Sequence, residues 1–153
     1  MTIVQTETTS AKTGRSLIEP KLFDRLAARI AFEHGMDRPT AERIMDQALA
    51  FLGACATATT PLSPSKLVDI GWHTFVLYTQ DYAAFCERIA GRFIHHIPDD
   101  EGGSAEARSV DPWQTTAAIV AAGYVADAPM WEDEGNCSQC HNGCSDDPPP
   151  DPK

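Results

Sequence analysis

Apolar residues recur at spacings of three and four along the middle of this chain, which is the period of an amphipathic α-helix. The clearest stripe lies between residues 22 and 30, after Glu19-Pro20 and before Gly35. Proline suits the first turn of a helix, and glycine suits the residue that follows the last turn. No segment shows the alternation of apolar and polar residues that is typical of a half-buried strand. The sequence therefore predicts an all-α fold.

Five helices are predicted, beginning near residues 20, 38, 64, 82 and 112. The third is apolar nearly all round, which is typical of a central helix. The fourth is expected to continue to the residue before Pro98, because that position avoids the helical region of backbone conformation. The fifth is expected to bury Trp113 and Val120 on one stripe. Together they predict a compact four- or five-helix domain with short antiparallel connections.

The chain of 153 residues is long enough for one domain with tails. Residues 126–153 hold seven acidic residues and one basic residue, which is more than half of the net charge of −10. A segment of this composition buries too little apolar surface to offset the entropy lost on ordering. We therefore expect a disordered arm over residues 1–15 and a helical domain over residues 16–125. An acidic Cys/Pro-rich tail follows over residues 126–153, disordered unless it binds metal.

The acidic composition excludes several classes of partner. A net charge of −10 opposes binding to nucleic-acid phosphates and to anionic membrane surfaces.

No apolar run approaches the roughly 20 residues that span a bilayer, and the N-terminal residues lack the features of a signal peptide. An odd count of 5 cysteines argues against a full disulfide framework. The expected setting is the cytoplasm, and the expected partner is an unknown protein.

Asp69, His73 and Cys86 form a candidate site within the predicted helices. Asp69 and His73 are four residues apart and therefore share one helix face. If the third and fourth helices form an antiparallel hairpin about residue 80, Cys86 lies at nearly the height of His73. His96 falls on the face of Cys86 but about 15 Å further along the helix, so both bind one metal only if the chain bends. The cluster is interpreted first as a buried structural network, with metal binding and nucleophilic catalysis as alternatives.

The stretch around this site resembles the helical N-terminal domain of the glycine-rich-domain-containing-protein family. The similarity rests on the segment LVDIGWHT at residues 67–74, followed by Tyr82, Cys86, Phe93 and His95-His96. That family has a V-D-x-x-W-H-T-H core, and Phe75 stands here at the position of its second histidine. The resemblance covers roughly residues 16–98. It implies a helical fold, in a small stand-alone member, and no established activity.

Residues 137–144 hold three cysteines and one histidine, namely Cys137, Cys140, His141 and Cys144. Two thiols separated by two residues can grip one ion in a tight turn, and thiolates suit zinc, copper(I) or an iron–sulfur cluster. Zinc is favoured, with Cys137 and Cys140 as core ligands and Cys144 as a third. The fourth ligand is left open among His141, the helical domain and a second molecule. The C-x-x-C-H signature of a c-type haem is rejected because no export signal is visible.

The sequence therefore predicts a small cytosolic accessory or interaction protein that binds a soft metal ion through its tail. The alternative is a thiol-redox or cysteine-nucleophile enzyme that uses Cys86 with His73 and Asp69, or the tail C-x-x-C pair. A further alternative makes the tail the substrate of a modifying enzyme. No motif specifies a reaction.

Overall fold

The computed structural model describes residues 10–97 and 111–132, together with the backbone of residues 145 and 146. Within these residues the chain forms five α-helices, which confirms the predicted all-α fold class. They are α1 (Pro20–His34), α2 (Arg38–Thr57), α3 (Lys66–Val76), α4 (Thr79–Ala90) and α5 (Pro112–Ala121). The other described elements are the 3₁₀ helices Gly14–Leu17 and Ala128–Met130 and the strands β1 (His96–Ile97) and β2 (Ser145–Asp146). None of the described helices combines the length and the apolar character needed to cross a bilayer.

The central helix is α2, rather than the predicted third helix. It packs against each of the other four α-helices. Its buried residues lie on several sides, and many are alanines whose small side chains let neighbouring helices approach closely: Ala41, Ala48, Ala50 and Ala54. By contrast, α3 buries a narrower set that includes Trp72 and leaves His73 exposed. The apolar character of α3 therefore reflects its packing against α1, α2 and α4, although α3 is not the central helix.

Two contacts position α3 against the rest of the domain. The helix begins two residues later than predicted because Ser65 caps it: the Ser65 hydroxyl accepts the N–H of Val68 at 3.2 Å. The same hydroxyl donates to the carbonyl of Met130 at 2.6 Å. In the middle of α3, a Cβ added at Gly71 would lie 2.7 Å from Cβ of Ala48. Glycine is therefore required where α3 meets α2.

The end of α4 differs from the prediction that this helix continues to the residue before Pro98. The helix ends at Ala90, and Gly91 takes a left-handed conformation with φ of 66°. Glycine adopts this conformation without a Cβ penalty, and its N–H closes the helix on the carbonyl of Glu87 at 3.0 Å. The chain then leaves the helical path, and Ile94 is buried in the core. His96 consequently lies in β1 and not on α4.

A short antiparallel ladder joins β1 to β2, an element that the sequence did not predict. His96 is the register partner of Asp146, and Ile97 is the partner of Ser145. Each strand has two residues, too few for an alternating pattern to be recognised. The ladder brings the backbone near the C-terminus beside the segment that follows α4.

The fifth helix buries a different face from the one predicted. Its buried side chains are Thr115 and Ile119, whereas Trp113 is 65% exposed and Val120 is also exposed. The Thr115 hydroxyl donates to the carbonyl of Ser63 at 3.0 Å. This hydrogen bond joins α5 to the loop before α3, so a polar residue lies on the buried face and an aromatic residue faces solvent.

The segment after α5 packs on α2 through the buried side chain of Gln47. The Gln47 amide oxygen accepts the indole N–H of Trp131 at 2.8 Å and the backbone N–H of Asp127 at 3.0 Å. Its amide nitrogen donates to the carbonyl of Val125 at 3.0 Å. Met130 and Trp131 are buried against the domain. The packed structure therefore continues into the segment assigned to the tail.

The described N-terminal residues also contact the domain. Lys12 donates its backbone N–H to the carbonyl of Gly123 at 2.8 Å and accepts the N–H of Val125 at 3.0 Å. Gly14 is buried, and a Cβ added there would lie 1.9 Å from the carbonyl oxygen of Asp46 in α2. The packed region therefore begins a few residues before the predicted boundary at residue 15.

Candidate metal centre

Asp69 and His73 lie on one face of α3. Because they are one helical turn apart, the Asp69 Oδ2 atom lies 3.1 Å from Nε2 of His73. The side chain of Asp69 is 21% exposed, whereas that of His73 is 59% exposed. The expectation that His73 belongs to a buried network is therefore wrong, and its ring lies at the solvent edge of the pair.

His96 adds a third side chain to this pair. Its Nε2 atom lies 2.9 Å from Oδ1 of Asp69, so the two carboxylate oxygens contact different histidines. The His96 side chain is 10% exposed and packs edge-on against Trp72, with ring centroids 4.3 Å apart. The His73 and His96 rings also meet edge-on at 4.0 Å. His96 is thus the inner histidine of the site and His73 the outer one.

A buried hydrogen-bond relay holds the segment that bears His96. The indole N–H of Trp72 donates to the Tyr82 hydroxyl at 2.9 Å, and this hydroxyl donates to the carbonyl of Ile94. Burial raises the pKa of Tyr82 above its ordinary value, so the phenol keeps the proton that it donates. Since Trp72 precedes His73 and Ile94 lies two residues before His96, the relay connects the parts of the chain that supply both histidines.

The charges within the site favour an ionised carboxylate. Burial alone raises the pKa of Asp69, but hydrogen bonds and charge attraction from His73 and His96 together hold that pKa below its usual value. The hydrogen bond to Asp69 raises the pKa of His73, against a smaller effect of burial. The site therefore presents one anionic oxygen donor between two imidazoles.

This arrangement has the dimensions of a metal-binding site. The three ligand atoms all lie within 4.8 Å of one another, and within the described parts of the chain no other group of three such residues does so. Two ligand atoms that bind one tetrahedral zinc ion at about 2.0–2.2 Å lie about 3.3–3.6 Å apart. The separations of 2.9 and 3.1 Å between Asp69 and the histidines need only a small expansion to match. The exposed His73 leaves one side open to solvent.

Cys86, the remaining predicted residue of this site, is not part of the group. Its side chain is fully buried in the hydrophobic core, and its thiol is in contact with Tyr82. Both Cys86 and Cys55 are buried, and neither forms a disulfide. The predicted hairpin geometry therefore brings Cys86 into the core behind the site. The turn at Gly91, which was not predicted from the sequence, brings His96 to Asp69 instead.

The predicted tail ligands Cys137, Cys140, His141 and Cys144 lie outside the described residues. The nearest described position is Ser145, the register partner of Ile97. The tail metal site remains a prediction.

Comparison with known proteins gives a family. Residues 15–109 match the family described as UCP032817-like. The chain belongs to the UCP032817-like family. The matched region includes Asp69, His73 and His96, so the candidate site lies within the part of the chain that defines membership. No curated protein and no solved structure matches the chain. The family description refers to no glycine-rich-domain protein, and that resemblance stays a prediction.

Proposed function

We propose that this UCP032817-like protein is a metal-binding accessory protein that holds one divalent transition-metal ion, zinc first, between Asp69, His73 and His96. The observation that supports the proposal is the convergence of one carboxylate and two imidazoles to within 4.8 Å. Two of these residues come from α3 and the third from β1, so the folded domain preorganises the site. A preformed site lowers the ordering cost that a flexible metal-binding segment meets on binding.

The ligand chemistry favours zinc over the other metals considered. Imidazole nitrogen and carboxylate oxygen are ordinary zinc ligands, and two histidines with one carboxylate form a known set of three protein ligands for zinc. Copper(I) and iron–sulfur clusters prefer thiolates, which the group of Asp69, His73 and His96 lacks. The same two-histidine, one-carboxylate set also suits Fe(II), so iron is the competitor to be tested beside zinc.

Several features favour an accessory protein over a thiol enzyme. Cys86 is fully buried, so a substrate has no access to its thiol in this structure. The side chains of Phe32 and Trp113 are 87% and 65% exposed, and aromatic residues are enriched in protein interfaces relative to the rest of the surface. The proposal places the protein in the cytoplasm, since Cys55 and Cys86 form no disulfide and reduced thiols suit a reducing compartment.

The proposal is tested by zinc titration of the full chain with Cys137, Cys140 and Cys144 all replaced by serine. This triple variant removes every tail thiol and leaves the helical site intact. We expect the triple variant to bind one zinc ion per chain. Adding Asp69→Asn to this variant should weaken zinc affinity by about 100-fold. This is the upper end of the loss of metal affinity that follows mutation of residues that only hydrogen-bond to a ligand.

The matched control is Asp81→Asn, which removes a carboxylate from the exposed start of α4. It is expected to leave zinc affinity unchanged. Absence of zinc binding in the triple variant, or equal binding by the Asp69→Asn and Asp81→Asn variants, would overturn the proposed function. Parallel titration with Fe(II) under anaerobic conditions identifies the preferred metal.

A further inference from the structure

The outer face of α5 carries an apolar stripe. Trp113, Ala117 and Val120 are four and three residues apart, so they lie on one side of the helix, and all three are exposed. The helix buries Thr115 and Ile119 on another side, and none of its 10 residues is charged. A surface helix normally directs charged or polar residues away from the core. The α5 stripe is therefore a candidate surface for contact with another molecule.

A groove of about 830 Å³ lies on the adjoining side of α5. One wall is α5 itself, through Gln114, Ala118 and Ala121, and the other is the end of α2 at Ala54 with residues 57–62. All of these lining residues are small or uncharged. The volume is within the range of about 300–1,000 Å³ that holds a small molecule, so an aromatic side chain fits.

Trp113 and the groove supply the two halves of a self-complementary contact. In a two-fold pair the same patch of each copy meets the other, so an indole and a groove on one helix can exchange places between copies. The indole ring packs on the alanines of the groove, and its N–H needs an acceptor, which the hydroxyls of Thr59 and Thr60 can supply. Ala117 and Ala121 lie between the stripe and the groove, and their small side chains let two α5 helices approach closely.

Charge favours a second copy at this face. Two chains that each carry a net charge of −10 repel one another over most of their surface. Residues 112–121 and 57–62 contain no charged residue, so two copies that meet there face the least repulsion.

The available area sets the strength of the contact. Two indoles bury about 300–500 Å² between them, and a helix of this length extends only about 15 Å. The total stays below the roughly 1,200 Å² at which stable complexes begin. The expected pair is therefore weak and transient.

We infer that two copies of this chain pair through α5 into a weak two-fold dimer, in which Trp113 of each copy occupies the groove of the other. The inference goes beyond the proposed function and does not depend on it. The metal centre lies on α3 and β1, and none of its three residues lines the groove.

The test is sedimentation equilibrium of the full-length chain from about 1 μM to about 1 mM, the range in which an interface of this size dissociates. A chelator and a reducing agent are present, so that neither metal nor thiols join the copies. We expect the mass to rise from monomer to dimer with concentration. Tryptophan emission should shift to shorter wavelength over the same range, and this shift reports on Trp113 because Trp72 and Trp131 are already buried.

Two variants and a control locate the contact. Trp113→Ala should weaken the dimer by at least about tenfold, since it removes a central aromatic residue from both halves. Ala121→Glu brings two like charges together where the helices cross and should weaken the dimer as well. Phe32→Ala removes an exposed aromatic side chain from α1 and should leave the dimer unchanged. All three positions are exposed, and circular dichroism checks that the variants are folded.

The contrary outcomes are equally specific. A wild-type chain that stays monomeric over the whole range, with unshifted emission, would overturn the inference and leave the face to a different protein or to a small apolar ligand. A dimer that is unaffected by Trp113→Ala, or weakened equally by Phe32→Ala, would place the contact elsewhere and would also overturn it.

Discussion

The carboxylate of Asp69 lies 2.9 Å from Nε2 of His96, although 27 residues separate them in sequence. This contact joins the middle of α3 to the strand that follows α4. It exists because α4 ends at Ala90, where Gly91 turns the chain out of the helix, and because the Tyr82 hydroxyl donates to the carbonyl of Ile94. Asp69 and His96 are too far apart in sequence for their spacing to predict a contact, yet together they form the less exposed part of the candidate metal centre.

The two histidines should contribute unequally to the stability of the metal-free protein. His96→Ala removes a packed ring and a hydrogen bond to Asp69 that is largely shielded from water, and we expect a cost of about 1–3 kcal/mol. His73→Ala should cost less than about 1 kcal/mol, since exposed pairs contribute little. Urea unfolding of both variants in the presence of a chelator measures the difference. Equal destabilisation would contradict the assignment of His96 as the inner ligand.

Tyr82 should support both the fold and the site. Tyr82→Phe leaves the indole N–H of Trp72 and the carbonyl of Ile94 without their present partner, at an expected cost of about 1–3 kcal/mol. Zinc affinity should also fall, because the segment bearing His96 is held less firmly. Tyr124→Phe is the matched control, since the Tyr124 hydroxyl lies at Gly53, away from this relay. An unchanged unfolding midpoint and zinc affinity in Tyr82→Phe would show that the relay is not needed.

Gly71 should be required for the contact between α3 and α2. In Gly71→Ala the new Cβ meets Cβ of Ala48 at 2.7 Å and the backbone oxygen of Ile44 at 3.1 Å. We expect overpacking to lower the free energy of unfolding by about 1–3 kcal/mol. This loss should exceed the gain of about 0.5–1 kcal/mol that alanine gives over glycine in a helix interior. Gly53→Ala is the comparison, because its close neighbour is the ring of Tyr124, which can move. Thermal unfolding should rank Gly71→Ala as the less stable variant, and the reverse order would contradict this packing.

The ion pair between Arg43 and Asp127 should make stability depend on pH. The Arg43 guanidinium donates to both oxygens of Asp127 at 2.8 Å, and this contact holds the pKa of Asp127 below its ordinary 3.8. The contribution is therefore complete above pH 3.8 and is lost as the pH falls through the lowered value. We expect the wild type to be more stable than Asp127→Asn at pH 6, with the difference shrinking towards pH 3. A constant difference over this range would contradict the assignment.

The sequence predicted the helices wherever local signals set their ends. Pro20 and Gly35 bound α1 as expected, and the glycine has the left-handed conformation that its position predicts. The start of α3 was misplaced because two serines precede it and the contact of Ser65 with Met130 decides which one caps the helix. The buried face of α5 was misassigned because Thr115 is buried by a hydrogen bond to a distant loop.

The candidate site was predictable only in part. The four-residue spacing of Asp69 and His73 follows from the period of the helix, and the structure brings them together. His96 was included as a candidate, but its approach to Asp69 depends on the end of α4 at Ala90, whereas the sequence predicted a helix that continues to the residue before Pro98. Cys86 was expected to lie beside His73, but the face of α4 that bears Cys86 is buried in the core. A glycine within the predicted fourth helix was the signal that favoured the observed turn.

The most direct test of the central claim is anomalous X-ray diffraction at the zinc edge from crystals of the full-length protein grown with one equivalent of zinc. The account predicts an anomalous peak about 2.0–2.2 Å from a carboxylate oxygen of Asp69 and from Nε2 of both His73 and His96. A single strong peak away from Asp69, or clear density for the three side chains in their present contacts with no peak between them, would contradict it.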